Sequence, residues 1–302
     1  MNKQFKEITL EAGNGITFKT TETPRGLVIQ AIRLTSKAER FGDYTKPPIP
    51  EGYFYVKGEW NTGYVIADKK RNHFVWVPVG ALPPSGTLEN EIFIEKFGRR
   101  NYCDDYFSNS EYHEEMTDEL QNQFKSVQKY GGFYISRYAI SKSEENKPVS
   151  VKDAIPWTII TFNNAVEEAK KLGQGNVKSH LVYGAEYDSV LAYIKMSGTI
   201  SEEIIKDSTN LGNYQKPKNN PYPCNVAKTG SRKEWYLNNI ADLAGNIKEW
   251  TQEKDGKILS CVARGGSFYN YGSRKPMAYR EGIGDENMSF EDVGFRVALY
   301  IE

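Results

Sequence analysis

Asp242-Leu-Ala-Gly-Asn-Ile-Lys-Glu-Trp250, Ala263-Arg-Gly-Gly-Ser-Phe268 and Val293-Gly-Phe-Arg-Val297 follow one another near the C-terminal end of the chain. Gly265 and Gly266 lack Cβ atoms, which permits close backbone approach or positive φ where a strand must turn beneath a neighbour. Arg264 and Arg296 each present a planar fork of donors, for which Glu249 and Asp242 are natural internal partners. Trp250 is large enough to anchor a loop layer on a core. Fold maintenance is the expected role of Gly265, Gly266, Trp250 and Arg296.

Around this stretch the composition sets bounds. The chain has 302 residues, with 39 Lys and Arg against 39 Asp and Glu, so its formal charge is zero. A chain of that length can bury a sizeable core. Its neutrality removes any bulk attraction for nucleic acid or anionic lipid. Twenty tyrosines stand against a mean hydropathy of -0.62, a combination that serves a recognition surface or strand-rich packing equally well. Cys103, Cys224 and Cys261 are far apart and in no C-x-x-C spacing, which argues against a disulfide framework or a structural zinc site. His73, His113 and His180 are scattered singly and read as surface or core residues rather than ligands. The N-terminus lacks an apolar run, and no later stretch is long enough to cross a bilayer. A soluble chain made in the cytoplasm is expected.

Read in order, residues 1 to 46 alternate apolar and polar positions in three short strands, with Gly13-Asn-Gly15 and Thr23-Pro-Arg-Gly26 as turns. They form a small β module, too short for a robust core of its own and expected to dock elsewhere as an attachment segment. Residues 47–51, rich in proline, read as a linker. From there aromatics thicken through Tyr53, Phe54, Tyr55, Trp60 and Tyr64, and Phe74-Val-Trp-Val77 reads as a buried strand. Residues 80 to 110 read as a surface excursion. Met116, Leu120, Phe124 and Val127 mark a helix, with Thr117 as N-cap and Gly131-Gly132 as its stop. Phe133 to Ile140 alternates as a strand. Two more helices follow, one through Ala165, Ala169 and Leu172 to Gly173, the other from Ala185 to about Met196 with Gly198 as its cap. Ser201 to Ser231 reads as loop, and the last seventy residues as short strands and turns.

The C-terminal triple motif closely resembles the signature of the formylglycine-generating enzyme, or sulfatase-modifying factor, domain. Phe133-Tyr-Ile-Ser-Arg-Tyr138, the segment from Pro148 to Trp157, the helix at Ala165 and Gly184-Ala-Glu-Tyr-Asp188 fall in that family's order as well. The resemblance covers residues 52–302. It implies an α+β, C-type-lectin-like fold with little regular secondary structure and two helices on a small mixed sheet, here preceded by the N-terminal β module.

The resemblance also exposes a departure. Members that oxidise a sulfatase cysteine carry two cysteines shortly after the Arg-Gly-Gly-Ser segment, and these bind copper, for which thiolates are suited. Here the run Tyr269 to Arg280 holds none, and Cys261 precedes the motif. The sulfoxide-forming iron enzymes of the family use histidines, and none follows His180. No catalytic residue and no redox cofactor is therefore expected. The remaining use of the fold is as a binding scaffold, as in variable proteins of diversity-generating retroelements and in phage tail and surface proteins. Phe268, Tyr269, Asn270, Tyr271, Arg274, Lys275, Tyr279 and Arg280 are the candidate ligand-binding residues, with the amphipathic chemistry of adaptable recognition. Asn246 and Glu249 match a calcium-holding pair of the enzymes, making calcium a candidate ion. The expected function is a non-enzymatic binding or structural protein, most concretely a phage virion or prophage surface component. Its expected partners are a cell-surface glycan or protein or other virion proteins, and homo-oligomers are compatible. A metal-dependent oxidase and a retroelement-diversified variable protein are the alternatives.

Overall fold

The computed structural model describes residues 16–23, 26–33, 42–80, 97–99, 112–215, 224–256 and 260–302. The chain divides into two compact units, Met1–Arg40 and Phe41–Glu302. In the first, β1 (Ile16–Thr23) and β2 (Gly26–Arg33) pair antiparallel, from Ile16 opposite Arg33 to Thr23 opposite Gly26. The first of the three strands expected there, through Phe5, Ile8 and Leu10, lies outside the described residues.

The second unit is α+β. Its strands are β3 (Tyr53–Lys57), β4 (Val65–Asp68), β5 (His73–Pro78), β6 (Tyr112–Glu114), β7 (Gly132–Ser136), β8 (Ser141–Lys142), β9 (Pro148–Val149) and β10 (Val177–Leu181). They continue as β11 (Tyr236–Leu237), β12 (Ile240–Ala241), β13 (Lys248–Asp255), β14 (Ser260–Arg264), β15 (Arg280–Gly284), β16 (Val293–Phe295) and β17 (Val297–Ile301). Its helices are α1 (Asp118–Tyr130), α2 (Phe162–Ala169), α3 (Gly184–Met196) and α4 (Glu202–Lys206). A six-stranded sheet runs in the order β10, β17, β7, β5, β4, β3. A second sheet runs β15, β14, β13, β16, with β6 also paired to β13.

Local chemistry sets the helix ends. Thr117 accepts a hydrogen bond from the Leu120 amide at 3.1 Å, and Gly131, at φ 77°, closes α1 by donating to Val127 O. A left-handed residue is what that C-terminal turn requires. Thr161 caps α2 in the same way, accepting from the Asn164 amide at 3.1 Å. The apolar strand Phe74 to Val77 is buried as expected, with Trp76 packed on Tyr134 at 5.1 Å between ring centroids.

Three expectations are revised. The strand expected over Phe133–Ile140 ends at Ser136: the Arg137 amide still donates to His73 O on β5, but the His73 amide turns away to Ser150 O and the Ile140 amide donates to Phe295 O. Within the expected loop from Ser201, the short helix α4 forms by burying Ile205 and pairing Lys206 with Glu202 at 2.8 Å. Helices α1, α2 and α3 lie where the sequence pattern places three helices, one more than the resemblance implies. Residues 47–51, read as a linker, run along the larger unit: Pro50 is buried, and Pro48 O accepts from Tyr134 Oη at 2.7 Å. Most of the excursion expected at 80 to 110 and the Lys216–Pro223 loop lie outside the described residues.

Candidate functional site

The motif at the C-terminal end assembles into a scaffold of internal contacts. The Arg296 guanidinium is fully buried and donates to both Glu249 oxygens, at 2.8 and 3.1 Å. It also donates to Ser136 O and Ala241 O, at 2.8 and 2.9 Å. One side chain thus ties β16–β17 to three other segments. Trp250 Nε1 donates to Ile160 O at 3.1 Å. A Cβ on Gly266 would fall 2.2 Å from Lys275 O, so only glycine permits that approach.

Arg264 departs from its expected partner. Instead of Glu249 or Asp242, it takes Asp188 on α3 at 2.6 Å and Glu253 on β13 at 3.0 Å. Arg280 takes the remaining oxygens of the same carboxylates, Asp188 Oδ2 at 3.0 Å and Glu253 Oε1 at 2.7 Å. The result is a closed, buried ring of two guanidiniums and two carboxylates that fastens α3 to the five-stranded sheet. Arg99 adds a third cation to Glu253 at 3.1 Å. Burial alone would raise the Glu253 carboxyl, but Arg264, Arg280 and Arg99 hold it down at about 2. Asp242 instead accepts from the Gly230 amide at 2.7 Å, and burial lifts its carboxyl to about 6.

Glu114 stands directly opposite Glu253 across β6 and β13. Burial and then that like charge push its carboxyl up to about 7, while both of its oxygens accept from the Ala185 amide at the start of α3, at 3.3 Å. Gly184 makes room here, since a Cβ would lie 2.3 Å from Glu253 Cδ.

The candidate ligand-binding residues separate into two groups. Tyr269 and Tyr271 are 48% and 40% exposed, and Arg274 is exposed over the Tyr271 ring at 5.7 Å. Tyr269 Oη donates to Glu291 at 3.3 Å. Asn270 and Lys275 are half-buried. Asn270 Oδ1 accepts from the Ser267 amide at 2.9 Å, and Lys275 Nζ pairs with Glu281 at 2.6 Å. Phe268, Tyr279 and Arg280 are buried. They are corrected to scaffold residues: Phe268 backs the Tyr269 ring at 4.2 Å, and Arg280 closes the charged ring. Sequence reasoning missed Asp188, Glu253 and Glu291, whose roles arise from distant segments and leave no local signal.

The structure does not bring Asn246 and Glu249 together around a cation. Asn246 Oδ1 accepts from Asn213 Nδ2 at 3.0 Å and the Ala227 amide at 2.8 Å, while the Glu249 carboxylate is engaged by Arg296. Among the described residues no group of three or more His, Cys, Asp or Glu side chains is placed to hold a metal ion. The copper pair of the enzymes does not fit either. Cys261 is buried beside Lys254 Nζ at 3.2 Å, Cys224 is exposed, and the loop after the glycines carries no thiol. Cys103 lies outside the described residues.

A cavity of about 840 Å³, lined by Asp68, Lys147, Lys171 and Gln174 among others, contains none of the predicted residues. No described helix is long and apolar enough to cross a membrane.

These features define an α+β scaffold with a loop surface of tyrosine and arginine. The chain belongs to the family of the sulfatase-modifying factor enzyme 1-like domain, whose family model matches residues 108–301. No curated protein matches the chain. Among solved structures it is similar to Treponema denticola variable protein 1, at 14% identity and a TM-score of 0.39, over 57% of this chain and 88% of that one. It is also similar to the Major Tropism Determinant U1 variant, at 15% identity and a TM-score of 0.36, over 57% of this chain. The match spans 52% of that variant's length.

Proposed function

We propose that this chain is a non-enzymatic binding protein whose recognition surface is the outward side of the loop after Gly266, centred on Tyr269, Tyr271 and Arg274. The observation that carries this reading is the division of labour within one loop. Tyr269, Tyr271 and Arg274 are exposed, while Phe268, Tyr279 and Arg280 are buried beneath them. Tyrosine supplies large contact area at low entropic cost, and arginine adds directed donors. The scaffold's own charges are closed on one another, so they favour rigidity over reactivity. The partner is a cell-surface glycan or protein, or a structural protein of the same particle. A phage virion or prophage surface component is the concrete setting, following the family resemblance.

The test is binding of the full chain to a glycan array and to whole bacterial cells, beside a variant carrying Tyr269→Ala, Tyr271→Ala and Arg274→Ala. The expected result is saturable binding that the triple variant loses while its melting temperature holds. Binding unchanged in the triple variant would move the surface elsewhere. A stoichiometric redox metal in protein purified without chelator, lost on Cys261→Ser together with oxidation of a cysteine peptide, would replace this reading with an enzymatic one.

A further inference from the structure

Strand β3 is the last strand of the six-stranded sheet, paired only with β4 among the described strands. The turn that follows it folds back on itself, with Thr62 Oγ1 accepting from the Glu59 amide and Glu59 O accepting from the Thr62 amide, both at 3.1 Å. Between this turn and the incoming segment at Thr45 and Pro47 lies an open cleft of about 380 Å³, lined also by Tyr55, Glu59, Trp60 and Tyr64. It contains none of the loop residues proposed above for recognition.

The three rings are set in place by the fold. Tyr55 and Tyr64 lie 5.0 Å apart between centroids, tilted by 43°, and Tyr55 Oη donates to Gly58 O at 3.2 Å. Trp60 meets Tyr44 edge-on at 5.3 Å, and its carbonyl accepts from Tyr193 Oη on α3 at 2.9 Å. Tyr55 is nevertheless 50% exposed. Elsewhere the protein supplies its own cations to aromatic rings: Lys254 over Phe162 at 4.2 Å, Arg264 over Tyr187 at 4.5 Å and Lys142 over Trp157 at 4.9 Å. No described lysine or arginine lies over Tyr55, Trp60 or Tyr64.

Ring faces carry negative potential and attract a cation. A methylated or quaternary ammonium is weakly hydrated and sheds its water at little cost, so it profits most from such a setting. We infer that this cleft binds a small organic cation with a quaternary or methylated ammonium head, the rings of Tyr55, Trp60 and Tyr64 surrounding it and the Glu59 carboxylate adding opposite charge. A neutral sugar would call for a fan of hydrogen-bonding side chains. Apart from the tyrosine hydroxyls and the Trp60 indole, the lining offers only Thr45 and Glu59 for that purpose.

The experiment is calorimetric titration of the full chain with choline and with tetramethylammonium, beside 3,3-dimethyl-1-butanol, the neutral carbon isostere of choline. Both cations are expected to bind, and the isostere on the order of tenfold more weakly, since cation–π attraction is lost while shape is kept. Tyr55→Ala and Glu59→Gln, both at exposed positions, should each weaken choline by roughly three- to tenfold and leave the melting temperature unchanged. Equal affinity for the isostere would show an apolar cleft and overturn the inference. So would choline affinity left unchanged by Tyr55→Ala, or no binding of either cation at millimolar concentration. Recognition by the Tyr269 loop is unaffected by any of these results, because the triple variant of that loop keeps the cleft intact.

Discussion

Arg264 and Arg280 are register partners on neighbouring antiparallel strands, and they share both Asp188 and Glu253. Two cations placed side by side would ordinarily repel. Here each carboxylate bridges both guanidiniums, so that four charges cancel within one buried ring. The ring is also the junction between α3 and the sheet from which the exposed loop emerges.

Removing one member therefore costs more than one hydrogen bond. Glu253→Gln leaves three arginines facing a neutral amide in the interior, and breaking a buried ion pair from one side costs about 3–5 kcal/mol. Urea denaturation should show a loss of that order. Arg264→Met combined with Glu253→Leu is expected to be milder than Glu253→Gln, because two arginines rather than three are then left with Asp188 as the remaining carboxylate.

Glu114 sets the pH response near neutrality. Its folded-state carboxyl is raised to about 7, above the ordinary 4.5 of an unfolded glutamate, so the folded state holds its proton longer. The associated stability is fully present below about 4.5 and is lost as pH rises through about 7. Asp242, raised from 3.8 to about 6, acts with the same sign. Glu253, held at about 2, acts oppositely: its contribution is present above 4.5 and falls away as pH drops through about 2. Stability should decline between about pH 4.5 and 7, and Glu114→Gln should flatten most of that decline, as read by denaturant midpoints at a series of pH values.

Ile159 adopts φ 54° and is 66% exposed. A β-branched residue pays for the left-handed region without burying its side chain in return. Its amide donates to Phe290 O at 3.0 Å, which holds the turn in place. Ile159→Gly should raise stability by about 1 kcal/mol, the relief of strain exceeding the added freedom of the unfolded chain. A lower melting temperature for this variant would count against strain at the site.

Phe268 and Tyr269 are adjacent, yet their substitutions should separate cleanly. Phe268→Ala empties a buried position and is expected to cost about 3 kcal/mol or more. Tyr269→Ala should remain within about 0.5 kcal/mol of the parent while weakening ligand capture. Thermal melts and binding to cells, run on both variants, distinguish scaffold from surface.

Gly266→Ala tests the backbone beneath the loop. With its Cβ 2.2 Å from Lys275 O, the substitution should destabilise by about 1–3 kcal/mol or more, as overpacking does.

The sequence by itself determined the elements whose causes are local. Thr117, Thr161 and Gly131 set helix ends through bonds spanning a few residues, and the spacing of Leu120, Phe124 and Val127 made the inward face of α1 readable, although Met116, read in the same row, lies exposed ahead of the helix. The motif from Asp242 to Trp250 with Arg264-Gly-Gly and Gly294-Phe-Arg296 identified the family. It also offered Glu249 and Asp242 as partners for Arg264 and Arg296, and of these the structure forms the Arg296–Glu249 pair. Tertiary structure decided the rest. Asp188 lies 76 residues from Arg264 in sequence, and Asp242, nearer along the chain, is drawn instead to the Gly230 amide. Within residues 268 to 280 no periodicity separates inside from outside, so only packing shows Tyr269 and Tyr271 in solvent and Tyr279 in the interior. The aromatics from Tyr53 to Tyr64 were visible as composition, but a cleft is a property of surfaces brought together by distant segments, and only the folded chain places Thr45 and Pro47 across from Tyr55 and Trp60.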